Sequence, residues 1–209
     1  VSRGLGDVYK RQAIDNEARH RGNSTYFPDR VVPMLPDNLS GNLCSLHEGE
    51  KRACIVVKIK IDSVGNKISH KFTRAVIQSW ASLEYGEVQE AIDKGKGKPK
   101  VLDLVNTVIK PLYDAYSCLK ISRKTRNPLD LNLPERKIEI DEKGIVKDVR
   151  FKERLEAHKL IEEFMILANV CAAETLSYKK TPTIFRVHEE PDKEKIEAFR
   201  KTAVSVGLK

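Results

Sequence analysis

Two adjacent carboxylates are the first residues in this sequence that could do chemistry. Glu162 and Glu163 lie in the middle of residues 155–176, where apolar side chains cover nearly the whole circumference of a predicted helix. His158 comes one turn before Glu162 and Asn169 two turns after it, so one polar stripe runs along the helix. An ionised carboxylate is costly to bury unless it is paired. The pattern therefore predicts either a salt bridge to a basic residue or a site that faces the stripe.

An aromatic side chain is the second candidate. Tyr26 opens the stretch YFPDRVVPMLP, residues 26–36, which contains three prolines. Proline lacks the N–H that a strand donates to its neighbour, so we predict that residues 24–46 form an irregular loop and not a central strand. Long ordered loops usually have a function. Tyr26 is then either an aromatic ring presented by a stiff loop or a half-buried core residue.

Metal and phosphate motifs are not evident. His188 begins the sequence HEEP, which lacks the second histidine of a zinc-binding helix, and the run DKGKGKPK at 93–100 lacks the spacing of a phosphate loop. We interpret that run as a solvated basic linker. The cysteines stand far apart in apolar surroundings, which predicts reduced core residues and neither disulfides nor zinc ligands. They are Cys44, Cys54, Cys118 and Cys171.

Length and charge restrict the class of protein. A chain of 209 residues is long enough for one large domain or two small ones. Its formal net charge is +8, which favours an anionic partner such as nucleic acid. There is no apolar run of the roughly 20 residues that a membrane span needs, and no signal-peptide pattern. These features predict a cytoplasmic protein that has no membrane partner.

Both helices and strands are predicted to position these candidate residues. Hydrophobic spacing predicts an α+β fold in which antiparallel hairpins pack with a buried central helix, the one at 155–176. Pro111 predicts a kink in one of the other helices. The predicted helices are 13–21, 82–92, 101–124, 155–176 and one within 191–208; the predicted hairpins are 53–61 with 67–77 and 137–141 with 145–151; and 182–189 is predicted to be extended.

Four stretches of the sequence carry a resemblance. They are RGNSTYFPDRVVPMLPDNLSGNLCSL, WASLEYGEV, HKLIEEFMILAN and FRVHEEPDKEKIEAF. In this order they resemble the catalytic RNB domain of the ribonuclease II and ribonuclease R family, and they are closer to its ribonuclease R branch. The similarity runs from about residue 13 to the end of the chain.

The resemblance implies an activity. Members of the family are magnesium-dependent enzymes that degrade single-stranded RNA processively from the 3′ end and release nucleoside 5′-monophosphates. The chain would then belong to a 3′-to-5′ exoribonuclease. An alternative is a non-catalytic single-stranded RNA-binding protein that uses the same fold, and a third is a basic structural domain without an RNA function.

The resemblance also implies residue roles. Tyr26 matches the family tyrosine that stacks on the 3′-terminal nucleotides, and stacking suits a processive enzyme because every base has a π-face. Leu131 falls where the family has the second aromatic residue of this clamp. Tyr85 and Glu162 match positions that contact the ribose near the scissile phosphate, which favours the site interpretation of Glu162. Glu163 and His158 are expected to be structural neighbours.

Other family features are expected outside these residues. Residues 1–12 look like a non-native leader, and residues 13–209 then form the central part of an RNB domain. The aspartates that bind the metal ions precede this part in the family, and the catalytic arginine follows it. We therefore predict no catalytic residue and no metal ligand in the chain, and no activity from the chain alone. The parent enzyme would bind Mg²⁺ and single-stranded RNA as a monomer, with flanking cold-shock and S1 modules.

Overall fold

The computed structural model describes residues 12–126, 128, 135–187 and 189–208. The chain divides into two compact units, Val1–Ala168 and Asn169–Lys209. Helices and antiparallel hairpins alternate, which confirms the predicted α+β class. The strands are β1 (Thr25–Tyr26), β2 (Val31–Val32), β3 (Lys51–Ile61), β4 (Lys67–Gln78), β5 (Glu135–Ile140) and β6 (Val146–Lys152). The helices are α1 (Ala13–Arg21), α2 (Tyr85–Lys94), α3 (Pro99–Leu104), α4 (Lys110–Thr125), α5 (Glu156–Tyr178) and α6 (Lys193–Ser205).

The strands pair as three separate two-stranded hairpins over the described residues: β1 with β2, β3 with β4, and β5 with β6. The two longer hairpins confirm the sequence prediction, and each begins two residues earlier than expected. The β1–β2 pair was not predicted. It lies within the proline-rich loop, where Tyr26 pairs with Val31, and a π-helical turn follows at Asn38–Leu43.

The two longer hairpins close with the same kind of turn. In each, an aspartate carboxylate accepts hydrogen bonds from backbone N–H groups two and four residues later, and these carboxylates belong to Asp62 and Asp141. The glycine three residues after each aspartate, Gly65 or Gly144, has a left-handed φ of 83° or 79°. Glycine adopts this conformation without the steric cost that a Cβ atom adds.

A small apolar core holds the helical region together. Ala91 of α2, Val101 of α3 and Ile109 are buried in it. The predicted helix at 101–124 is interrupted by a π-helical segment, Val105–Ile109, immediately before α4. Pro111 is the second residue of α4, and it has no N–H to donate to the helical turn that precedes it. The irregularity therefore lies just before the proline that predicted it.

Helix α5 is buried on one side only. Ala157, Leu160 and Glu163 are buried, whereas Ile161 and Met165 are exposed. The prediction that apolar neighbours surround this helix is therefore wrong for the described structure. Apolar residues around a helix predict burial only where other elements cover every side, and within the described residues part of α5 lies uncovered.

The cysteines differ in burial, although none is in a disulfide. Cys171 is buried, as predicted for a core residue. Cys54 and Cys118 are partly exposed, and Cys44 is exposed at the end of the π-helical turn. The core prediction is therefore wrong for Cys44.

The second unit contains the end of α5 and all of α6. The Asp192 carboxylate caps α6 by accepting a 3.0 Å hydrogen bond from the N–H of Glu194, and Gly207 follows the helix with a left-handed φ of 82°, as the predicted stop. Residues 181–187 form neither helix nor strand, and His188 lies outside the described residues. Among the helices that the structure describes, none is long and apolar enough to cross a membrane.

Candidate nucleic-acid interface

An aromatic stack joins α2 to α5. Tyr85, the first residue of α2, lies on the imidazole of His158, with ring centroids 4.1 Å apart and planes 20° apart. Tyr85 remains partly accessible, since 44% of the residue is exposed. A cavity of about 140 Å³ opens beside the ring and is lined mainly by apolar side chains, including Val88, Leu112 and Ile161.

A backbone hydrogen bond holds the His158 ring. The N–H of Leu155, just before α5, donates to Nδ1 of His158 over 3.2 Å. Because Nδ1 accepts here, the ring proton of neutral His158 is on Nε2. The bond fixes the imidazole against the start of α5 and so gives Tyr85 an oriented surface to pack on.

Gln89 of α2 links this helix to α4 and α5 by two hydrogen bonds. Its side-chain oxygen accepts a 3.0 Å hydrogen bond from the N–H of Ala157 and one of 3.3 Å from the hydroxyl of Tyr113. The first four N–H groups of a helix have no partner within it, and Gln89 supplies one from another helix. Gln89 lies one turn after Tyr85, and Ala157 directly precedes His158. The hydrogen bond therefore brings the two stacked rings together.

Glu162 lies one turn after His158 on α5. Its carboxylate is 42% exposed and is held by the guanidinium of Arg154, whose Nε is 3.3 Å from Oε1 and whose Nη2 donates to Oε2. The sequence left open a salt bridge or a site role for Glu162. The structure shows the salt bridge to Arg154 and leaves the carboxylate partly exposed, so the site role stays a prediction. We refer to Tyr85, His158 and Glu162 as the ribose-contact site, after the role that the resemblance predicts for Tyr85 and Glu162.

Glu163 has the opposite environment. Only 3% of it is exposed, and its carboxylate accepts from Arg123 at 2.6 Å and from Arg126 at 3.2 Å. Both arginines lie at the end of α4, so the pair fastens α4 to α5. Glu163 is therefore a structural neighbour of Glu162, as expected.

Tyr26 is presented at the end of β1. Its ring is 77% exposed, and the strand turns back within four residues, where Phe27 donates a 2.8 Å hydrogen bond to the carbonyl of Arg30. The guanidinium of Arg30 lies 5.1 Å from the ring centre of Phe27. The alternative of a half-buried core tyrosine is therefore wrong. In the part of the chain described, no hydrogen bond or ring contact joins Tyr26 to Tyr85 or Glu162.

The proline-rich loop is held to its surroundings by two hydrogen bonds. Arg21 at the end of α1 donates to the carbonyl of Pro33 over 3.0 Å, and the N–H of Met34 donates to Oγ of Ser24 over 2.9 Å. These bonds fix both ends of the segment that carries Tyr26. The loop is therefore irregular but ordered, as the prolines indicated.

Two further predictions about the site concern Leu131 and the metal ligands. Leu131, the expected second member of the base clamp, lies outside the described residues. Across 12–126, 128, 135–187 and 189–208, no group of three or more His, Cys, Asp or Glu side chains could hold a metal ion. The described residues therefore do not fit a Mg²⁺ site.

Two residues of this region were not found from the sequence. Arg154 precedes α5, so helical spacing does not connect it with Glu162. Gln89 had only the weak signal of lying on the same helical face as Tyr85. Their partners come from other elements, and a single sequence does not show such pairings.

Comparisons of the sequence and of the structure with known proteins point to the same family. The RNB domain family matches residues 7–208. Ribonuclease R of Escherichia coli strain K12 is 35% identical over 195 residues, which are 93% of this chain and 24% of that protein. The apo structure of Mycoplasma genitalium RNase R superposes with a TM-score of 0.88 at 29% identity, over 97% of this chain and 31% of that one.

The same Mycoplasma genitalium protein is also known in complex with ribose methylated single-stranded RNA, again with a TM-score of 0.88, 29% identity and the same coverage. This chain thus spans about a quarter to a third of the length of the relatives it matches.

Proposed function

The chain belongs to the RNB domain family, and on that premise we propose that it provides the RNA-holding surface of a 3′-to-5′ exoribonuclease. The substrate is single-stranded RNA, and the products of the parent enzyme are nucleoside 5′-monophosphates released processively. The matches to ribonuclease R support this class of activity.

The observation that carries the proposal is the ribose-contact site. A ribose differs from a deoxyribose by its 2′-hydroxyl, which can both donate and accept hydrogen bonds. The Glu162 carboxylate accepts, and the exposed face of Tyr85 packs against the sugar or base. Arg154 orients the carboxylate and places an opposite charge beside it, so Glu162 is pre-positioned to accept from the hydroxyl.

Tyr26 supplies a contact of another kind. An exposed aromatic ring stacks on any base and contributes about 1–3 kcal/mol without reading sequence. An enzyme that moves along RNA one nucleotide at a time needs contacts that every nucleotide can make. Tyr26 therefore holds the 3′-terminal bases, and Leu131 adds an apolar contact in place of a second ring.

RNA as the partner has support from a relative and from charge. The Mycoplasma genitalium protein has been solved with ribose methylated single-stranded RNA and with double-stranded RNA. The net charge of +8 on this chain attracts a polyanion. The charge alone would serve DNA equally well, so the ribose-contact site must supply the preference for RNA.

The metal chemistry belongs to other residues in this proposal. Magnesium ions activate water and stabilise the leaving oxygen in phosphoryl hydrolysis. The described residues offer no cluster that fits such ions, so no hydrolytic step is assigned to them. We expect this chain by itself to bind RNA and leave it intact.

The test combines binding with a time course. Fluorescence anisotropy of a labelled single-stranded RNA and of the same DNA sequence measures preference, with Glu162→Gln as the test variant and Glu142→Gln, in an exposed turn, as the matched control. We expect the native chain and Glu142→Gln to prefer RNA, and Glu162→Gln to lose much of that preference. Equal RNA and DNA affinities of the native chain, governed only by salt, would overturn the proposal.

The time course uses a 5′-labelled single-stranded RNA and Mg²⁺, resolved by product length. We expect intact RNA. Stepwise shortening from the 3′ end would show that these residues contain a working metal site, and the expectation of an inactive chain would then be wrong.

A further inference from the structure

A cleft with an excess of positive charge lies between α4 and α5. Its volume is about 500 Å³, and its basic lining side chains come from both helices. The side chains that give it its character are Lys120, Arg123, Lys124, Lys159, Tyr116 and Glu156. We call it the basic cleft. None of its lining residues lines the apolar cavity beside Tyr85.

Glu156 organises one wall of the cleft. Its carboxylate accepts hydrogen bonds from Nζ of Lys159 at 2.7 Å and from the hydroxyl of Tyr116 at 3.1 Å, and Nζ of Lys120 lies 3.6 Å away. The hydrogen bond from Lys159 is the main reason that the pKa of Glu156 lies below its usual value. Burial raises the pKa of Tyr116, so its hydroxyl stays protonated and donates.

The described side chains that line the cleft include more basic than acidic groups. Glu156 pairs with Lys120 and Lys159, and Glu163, which is not a lining residue, pairs with Arg123 and Arg126. Among the described residues that line the cleft, four side chains are basic and Glu156 is the one carboxylate. Lys120 and Lys124 also lie one turn apart on α4, where like charges lower helix stability.

We propose that the basic cleft binds phosphate groups of the RNA backbone, as a contact separate from the ribose-contact site. The identity of the polymer rests on the proposed function. Lysine ammonium groups bind phosphate as compact charges that need no particular base or sugar. The partly exposed lysines at the mouth supply the attraction, while the Glu156 network keeps Tyr116 and Lys159 in place.

Salt dependence gives the sharpest test. Binding of a phosphate by a lysine releases condensed counterions, so log K falls with log salt by about 0.7 per phosphate contact on a single strand. We compare the native chain with the double variant Lys120→Gln/Lys124→Gln by anisotropy with labelled single-stranded RNA over a range of salt concentrations. The matched control is Lys143→Gln/Lys147→Gln, which removes two exposed lysines of the β5–β6 hairpin.

The expected result is a reduced slope. If both cleft lysines contact phosphates, the cleft variant loses about 1.4 from the slope of log K against log salt, and the control variant loses much less. Equal slopes for the two variants would overturn the proposal. Circular dichroism melts of both variants check that each remains folded.

Free inorganic phosphate is the alternative ligand of the cleft, and a second measurement distinguishes it from the RNA backbone. Calorimetric titration with inorganic phosphate is run on the native chain and on the cleft variant. Heat that the cleft variant loses, together with an unchanged RNA slope, would show that the cleft takes free phosphate and would overturn the RNA assignment.

Failure of this inference is distinguishable from failure of the proposed function. Phosphate contacts are shared by RNA and DNA, so the cleft variant should weaken both polymers equally and keep the RNA preference. A native chain without RNA preference would count against the ribose-contact site, while a reduced slope in the cleft variant would still support the basic cleft.

Discussion

The ring of Tyr85 rests on the imidazole of His158, 4.1 Å between centroids, and His158 lies one helical turn before Glu162. The stack therefore places the aromatic and the acidic parts of the ribose-contact site beside each other although they belong to different helices. We therefore predict that His158 positions Tyr85 for its contact with RNA.

Removal of the His158 ring should loosen Tyr85. Stacked aromatic pairs contribute about 0.5–1.5 kcal/mol beyond the area they bury, so we expect His158→Ala to lower RNA affinity by up to about tenfold. DNA affinity should fall less, because DNA lacks the hydroxyl that the site reads. Anisotropy with both polymers measures the ratio.

His158→Phe is the matched control for this prediction. It keeps an aromatic surface under Tyr85 and loses only the hydrogen bond from Leu155, so most of the RNA preference should return. A His158→Ala chain that retains the native ratio of RNA to DNA affinity would show that Tyr85 does not depend on His158.

Tyr26 should affect affinity without affecting preference. Tyr26→Ala removes one stack, worth about 1–3 kcal/mol, and should weaken RNA and DNA by similar factors. Because the ring is exposed, the free energy of unfolding should change little. Tyr26→Phe keeps the stacking face and should bind nearly as well as the native chain.

Tyr178→Ala is a suitable control, since Tyr178 is also highly exposed. The measurements are dissociation constants for both polymers and urea unfolding curves. If Tyr26→Ala and Tyr178→Ala change affinity equally, Tyr26 has no specific role in holding RNA.

The two glutamates show how far the sequence alone could reach. It placed both on an apolar helix and indicated that a carboxylate there needs a partner. Adjacent residues on a helix differ in direction by about 100°, and which of them is buried depends on where α4 lies. The arginines that pair with Glu163 are about 40 residues earlier, so only the folded chain shows that Glu163 is the buried member.

The sequence predicted correctly those elements that depend on interactions between residues close together in the chain. The two long hairpins, α1 and α6 follow from alternation, turn residues and caps within a few positions of each other. The prediction of complete burial for α5 failed because it depended on covering elements elsewhere. The prediction that Cys44 is a core residue failed for the same reason, since apolar neighbours in the sequence do not guarantee apolar neighbours in space.

The arginines that bind Glu163 should contribute unequally to stability. Arg123 is 24% exposed and lies 2.6 Å from the carboxylate, whereas Arg126 is 52% exposed at 3.2 Å. A buried hydrogen bond to a charged group is worth about 1.5–3 kcal/mol, and an exposed pair about 0.2–1 kcal/mol. Arg123→Met should therefore lower the free energy of unfolding by about 1.5–3 kcal/mol.

Arg126→Met provides the comparison and should cost less than about 1 kcal/mol. Urea unfolding followed by circular dichroism gives both values. Equal costs for the two variants would contradict the view that burial makes Arg123 the main partner of Glu163.

The last prediction concerns the β3–β4 turn, where Gly65 packs directly against the backbone of α4. A Cβ atom at this position would lie 2.6 Å from the carbonyl carbon of Cys118 and 2.9 Å from Cα of Leu119. Real Cβ atoms do not approach other atoms so closely, and backbone cannot move aside as a flexible side chain can. Gly65→Ala must therefore push the hairpin away from α4.

Gly144 separates this effect from backbone strain. It occupies the same place in the β5–β6 turn with nearly the same φ, and nothing lies within 4 Å of a Cβ placed there. Gly144→Ala should cost only the left-handed strain, about 1–2 kcal/mol. Gly65→Ala should cost a further 1–3 kcal/mol or so, as overpacked sites do, and both are measured by urea unfolding. Equal costs would mean that the hairpin does not rest on α4 through Gly65.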